Sequence, residues 1–197
     1  MMAESTKTTH ATTPRLKAMY KDVIAKELKT ELKLANINQV PKLEKIVVSA
    51  GTGKRRDDKR FYEAVKNTLT RITGQIPIDR ASKKSVAGFK IRAGMSRAGL
   101  SVTLRGAYMY EFLDRLINVA LPRVRDFRGI GAKTFDKSGN ISIGIVEQSI
   151  FPELTFEEVQ VPHGLQITMV IKGNEAEHNR ALLEKFGMPF ERQGGKQ

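Results

Sequence analysis

Apolar residues recur at helical spacing near the start of the chain. Leu16, Met19, Tyr20, Val23, Ile24 and Leu28 share one stripe, and Lys17, Lys21, Lys26 and Lys29 fill the other faces. This predicts a helix over Arg15–Ala35, with Pro14 suited to its first turn. After Val40-Pro41 the spacing changes: Leu43–Ala50 (LEKIVVSA) is rich in β-branched residues and reads as a strand. Helical spacing returns over Asp57–Thr73, where Phe61, Val65, Thr68, Leu69 and Ile72 share a face and Gly74 stops the run. Short strands are predicted at Ile76–Asp79, Gly88–Arg92 and Leu100–Arg105. Met109–Val124 gives the longest apolar stripe, with Pro122 near its end. Strands at Asn140–Glu147 and Gly164–Lys172 and a helix over Glu175–Phe186 complete the pattern.

With no internal repeat and no dividing linker, this pattern predicts an α+β fold. Its simplest form is one domain, 14–192, with a mostly antiparallel sheet and its helices packed on one face. The other sheet face is left for a partner. Residues 1–13, rich in Ser and Thr without an apolar core, read as a flexible tail rather than a leader, and 193–197 as a short C-terminal tail.

Charge then points to the class of partner. Lys and Arg number 34 against 21 Asp and Glu, for a net charge of +13. A field of that sign and size favours a polyanion. The charge is also uneven: residues 1–140 carry +16, whereas 141–197 carry −3. Between Asp79 and Glu111 no acid interrupts Arg80, Lys83, Lys84, Lys90, Arg92, Arg97 and Arg105. A surface kept soluble by charge usually mixes signs, so this run reads as a basic loop that contacts phosphates and orders on RNA. Its self-repulsion and its glycines predict mobility in the free protein. Apolar runs fall short of the ~20 residues that span a bilayer, so a membrane is not an expected partner.

Catalytic chemistry finds little support. The absence of cysteine removes thiol nucleophiles, zinc ribbons and disulfides. His10, His163 and His178 lack ligand spacing and read as surface or loop histidines, so no metal and no cofactor is expected. Ala50–Arg55 (AGTGKR) resembles a phosphate loop, but Val48 stands where that loop needs its first glycine and Arg55 where it needs Ser or Thr. Gly51–Arg56 reads instead as a strand-to-helix turn in which Lys54 and Arg56 contact phosphate. The chain is therefore read as a binding protein and not an enzyme. A nucleotide-dependent or RNA-modifying enzyme on a basic α+β domain is the alternative, and it lacks a visible site.

Four strings then carry a resemblance: Lys84–Arg92 (KSVAGFKIR), Val102–Gly106 (VTLRG), Ala120–Gly129 (ALPRVRDFRG) and Glu147–Glu153 (EQSIFPE). Their order and spacing resemble those of the family of large-subunit ribosomal protein five, the bacterial-type 5S rRNA-binding proteins. The likeness runs over about residues 15–192. It implies a structural constituent of the large subunit that docks 5S rRNA in the central protuberance and contacts 23S rRNA and neighbouring large-subunit proteins. It further implies a bridge to a small-subunit head protein and a contact with P-site tRNA. Carried over by position, Asn36, Gln75 and Thr103 are the polar 5S rRNA contacts. Lys54, Arg56 and Arg105 supply charge beside them. The tRNA loop maps to about Ser82–Leu100, with Lys83, Lys84, Phe89, Lys90, Arg92 and Arg97. The intersubunit bridge maps to about Arg125–Asn140, with Arg125, Arg128, Lys133 and Phe135. The implied location is cytoplasmic, in a bacterial-type ribosome, with an organellar ribosome as the alternative.

Overall fold

A computed structural model of the chain describes residues 13–191 except 56, 90, 126, 132, 133 and 174. The first helix spans 15–31, as α1 (Arg15–Met19), a π turn (Tyr20–Ile24) and α2 (Ala25–Glu31). Of the expected stripe it buries Leu16, Ile24 and Leu28, with Ala25 beside them, half-buries Tyr20 and leaves Met19 and Val23 exposed, and it stops short of Ala35. Strand β1 (Lys42–Gly51) follows. Helix α3 (Lys59–Thr73) begins at Asp58, whose carboxylate accepts the N–H groups of Arg60 (3.0 Å) and Phe61 (3.2 Å). It ends at Gly74, left-handed at φ 72°, a conformation glycine adopts without steric cost.

Strands β2 (Ile78–Arg80) and β3 (Gly99–Leu104) flank the basic loop. The strand expected at Gly88–Arg92 does not form. Val86 and Ile91 exchange both backbone hydrogen bonds (2.9 and 3.1 Å), so the chain between them must reverse, and Ala87–Phe89 makes one 3-10 turn. Helix α4 (Gly106–Arg115) starts three residues earlier than expected and continues through a π turn (Leu116–Ala120) into a 3-10 turn (Leu121–Arg123). That loosening coincides with Pro122, which has no N–H to return to the preceding turn. Strand β4 (Ile141–Ile145), a short helix α5 (Phe156–Val159) not foreseen from the sequence, strand β5 (Leu165–Lys172) and helix α6 (Ala176–Lys185) close the chain.

The strands form one antiparallel sheet in the order β2-β3-β1-β5-β4. Register places Ile46 beside Leu104 and Met169, and Val48 beside Val102 and Ile167. These residues, with Ala50, Leu100, Ile171, Ile141, Ile143 and Ile145, turn one sheet face into the core. The helices cover that face through Val65, Leu69, Ile72, Phe112, Leu113, Leu116, Leu182 and Leu183, all buried. The architecture is the α+β fold expected from the pattern. No helix among the described residues is long and apolar enough to cross a membrane.

Candidate nucleic-acid interface

Period-two alternation leaves the second sheet face to solvent. Its positions include Lys45, Val47 and Ser49 on β1, Thr103 on β3, Gln166, Thr168 and Val170 on β5, and Ser142 on β4, while Ser101 on β3 shares the face but is only 5% exposed. They line up across the sheet: Thr103 faces Val47, which faces Thr168, which faces Ser142. The Ser142 and Thr168 hydroxyls share a hydrogen bond of 3.0 Å, and Arg80 Nε donates to the Ser101 hydroxyl at 2.6 Å. No carboxylate stands at these positions, and Glu44 falls in the bulge of β1. The surface is thus a bed of mostly small hydroxyl, amide and valine side chains on rigid backbone. Such groups read shape and exchange hydrogen bonds with a nucleic acid without fixing where phosphate must lie.

Three predicted polar residues have distinct settings. Thr103 lies on this open face. Asn36 is exposed at the head of a 3-10 turn (Ile37–Gln39) that enters β1. Its Oδ1 accepts the Asn38 N–H at 3.0 Å, which leaves the amide NH2 to donate outward. Gln75 is exposed just after the Gly74 cap, with its backbone tied on both sides to the Thr73 hydroxyl (3.3 and 3.1 Å). Arg105 is exposed at the N-cap of α4. Lys54 lies in the turn Gly53–Arg55, and Arg56 lies outside the described residues.

The basic loop has an internal frame. The Ser82 hydroxyl donates to the carbonyls of Lys84 (2.9 Å) and Arg92 (3.0 Å), and Ser85 Oγ accepts the Ala93 N–H at 2.9 Å. The Ser82 N–H reaches the Met95 carbonyl and the Gly94 N–H returns to Ser82. This frame presents Lys83, Lys84 and Arg92 to solvent, with Phe89 74% exposed at the tip. Lys90 lies outside the described residues. Arg97 is different: it is half-buried, its guanidinium sits 5.5 Å from the centre of the Tyr62 ring, and its N–H donates to both carboxylate oxygens of Asp79 (3.1 and 3.2 Å). Spacing alone groups Arg97 with the exposed cations, and the structure separates it from them. Thr52, not singled out in the sequence, is 1% exposed and ties β1 to the same point of the loop.

On the opposite flank, Arg125 and Arg128 are exposed, while Lys133 lies outside the described residues. Phe135 is half-buried, pairs with Ile141 and stacks on Phe190 at 5.8 Å. Beside them a hollow of about 320 Å³ is bordered by Arg123, Arg125, Phe127, Ile143, Val146 and Glu147. His163 takes the loop alternative expected for it, in the segment before β5, but is only 7% exposed there, edge-on to Phe61, because Gln148 accepts its backbone N–H and the Val161 carbonyl faces its ring nitrogen. Among the described residues no cluster of His, Asp and Glu is arranged to hold a metal ion.

These features define a basic α+β protein with an open sheet face rich in hydroxyl groups and a framed cationic loop. The comparisons narrow that class. Residues 36–92 match the family Ribosomal protein L5, and residues 97–190 match the model of that ribosomal family's C-terminus. A large ribosomal subunit protein uL5 from Fusobacterium nucleatum is 48% identical over 180 residues, 91% of this chain and 98% of that protein. Its counterpart from a Synechococcus species is 49% identical over 176 residues, covering 89% and 97%. The uL5c protein of Paulinella chromatophora is 48% identical over 175 residues, covering 89% and 97%. The chain belongs to the ribosomal protein L5 family, whose members are structural proteins of the large ribosomal subunit and not enzymes.

Proposed function

We propose that the protein binds 5S rRNA through the open sheet face and its rim and docks that RNA into the large subunit's central protuberance, where it also meets 23S rRNA. The observation that carries this reading is the row Thr103, Val47, Thr168, Ser142, in which three hydroxyl side chains flank one valine, without charge, on paired strands. Strand backbone holds such groups in place before binding, so recognition costs little ordering. Asn36 and Gln75 add exposed amides, and Lys54, Arg56 and Arg105 add charge for the phosphates. The framed loop around Lys83, Lys84, Phe89 and Arg92 serves P-site tRNA, which accounts for cations standing clear of the sheet face. The flank of Arg125, Arg128 and the neighbouring hollow serves a protein of the small-subunit head, because apolar lining beside charge suits a protein neighbour better than a phosphate backbone.

The deciding experiment is a filter-binding titration of the purified protein with bacterial 5S rRNA and with an unrelated structured RNA of equal length, at physiological salt. Preference for 5S rRNA is expected. Equal affinity for the two RNAs would overturn the reading.

A further inference from the structure

The four tyrosines are not equivalent. The Tyr20 hydroxyl donates to the Pro41 carbonyl at 3.0 Å. Tyr62 lies under Arg97, and Tyr110 is buried edge-on to Phe186. Tyr108 has no such engagement: it is 58% exposed, and among the described residues its ring has no aromatic or cationic partner and its hydroxyl no hydrogen bond. It stands in the first turn of α4, where its neighbours Met109, Tyr110, Phe112 and Leu113 all turn into the core.

The ring faces Gly74: a Cβ added to that glycine would meet Tyr108 Cε1 at 3.8 Å and Cδ1 at 3.9 Å, ordinary van der Waals contact. Gly74 is the left-handed cap that ends α3, and Gln75 follows it directly. The aromatic ring therefore faces the glycine that immediately precedes exposed Gln75, and it lies three residues from the exposed cation Arg105. The first carboxylate along the helix is Glu111, and none precedes it back to Asp79. An aromatic face, an amide and an exposed cation together offer the three contacts an unstacked nucleotide uses: stacking, a base-edge hydrogen bond and a phosphate charge.

We propose that Tyr108 is a stacking platform for an unpaired nucleobase of the bound RNA, at the rim formed with Gln75 and Arg105. The inference rests on the RNA-binding reading above and names a contact that reading did not assign. Stacking needs the ring and not the hydroxyl. Tyr108→Phe should thus bind 5S rRNA within about two-fold of the parent, whereas Tyr108→Leu should lose about ten-fold. The side chain is exposed, so both variants keep the core.

The chain contains no tryptophan. Tyr108→Trp therefore installs a single reporter, whose fluorescence a stacked base quenches. Quenching that saturates with bound 5S rRNA is the expected result. Undiminished fluorescence at saturation, or a Leu variant that binds like the parent, would overturn the proposal. Quenching by 5S rRNA and by an unrelated RNA alike, with equal affinities, would keep the platform but remove the assignment of 5S rRNA as its ligand.

Discussion

The Thr52 hydroxyl donates to the backbone carbonyl of Arg97 across 2.8 Å, and the two residues lie 45 apart in sequence. Thr52 ends the sheet side of this contact, with its N–H also reaching the Ala98 carbonyl at 3.3 Å. Arg97 adopts a positive φ of 59°, unusual for a residue with a side chain. That conformation persists because Thr52, Asp79 and Tyr62 hold it from three directions. The loop leaves the sheet in a direction set by this clamp.

Thr52→Val keeps the shape and removes the donor. We expect a loss of roughly 1 kcal/mol of stability, the cost of an unpaired, partly buried carbonyl. Amide exchange of residues 92–98 should accelerate, while 5S rRNA affinity changes little and Thr52→Ser restores protection. Unchanged exchange in the Val variant would show that Asp79 and Tyr62 hold the loop without Thr52.

Polar and basic residues should separate in a salt titration. Asn36→Ala, Gln75→Ala and Thr103→Ala should each cost roughly 1–3 kcal/mol of 5S affinity if the RNA partner is left buried and unpaired. They should leave the salt slope nearly unaltered, because they release no counterions. Lys54→Gln or Arg56→Gln should instead lower the slope by about one each. The measurement is the 5S rRNA dissociation constant from low to high salt, and the reverse pattern would remove these residues from their assigned roles.

The parts of the fold that depend on neighbours in sequence are legible there. Gly74 marks the end of α3 because a left-handed stop acts within one turn, whereas the start, expected at Asp57, falls at Lys59 after the Asp58 cap. The alternation Leu165, Ile167, Met169, Ile171 shows which face of β5 is buried. Long-range contacts are not legible. Nothing local to Val86–Ile91 shows that its ends close on each other, so an apolar alternation there passes for a strand. Arg97 looks like any exposed cation until Tyr62 and Asp79 are placed against it. Phe135 likewise belongs to a charged segment until Phe190 stacks on it.

His163 makes acid stability a further test. Burial drives its pKa below the ordinary histidine value, with the Val161 carbonyl opposing that shift. Nδ1 lies 3.0 Å from that carbonyl and so carries the proton of the neutral ring, while buried Nε2 has no partner among the described residues. A second proton on Nε2 would be buried without an acceptor. The folded pKa lies below the unfolded value of about 6.5, so the unfolded chain binds more protons between the two. This contribution to stability is complete above about pH 7 and declines as pH falls through about 6.5 towards the folded pKa, by at most about 1.4 kcal/mol per pH unit. Thermal melts of the parent and of His163→Gln between about pH 7 and 5 should show a shallower slope in the variant. Parallel slopes would show that another group governs the acid limb.

The basic loop gives the sharpest division of labour. Its frame is made by Ser82 and Ser85 and by backbone groups, so the cations at Lys83, Lys84 and Arg92 do not hold it in shape. They are exposed and stand apart from the hydroxyl row on the open sheet face. Arg97 is left out of the test because its clamp would confuse charge with geometry. Lys83→Gln, Lys84→Gln and Arg92→Gln together remove three positive charges and should leave the melting temperature within a degree or two, as surface substitutions usually do. Affinity for 5S rRNA should fall only by the long-range share of three charges, and that difference should vanish at high salt. P-site tRNA should leave ribosomes assembled with the triple variant several-fold faster, since each lost phosphate contact weakens retention. Collapse of 5S binding with unchanged tRNA release would make the loop an rRNA anchor and refute the division.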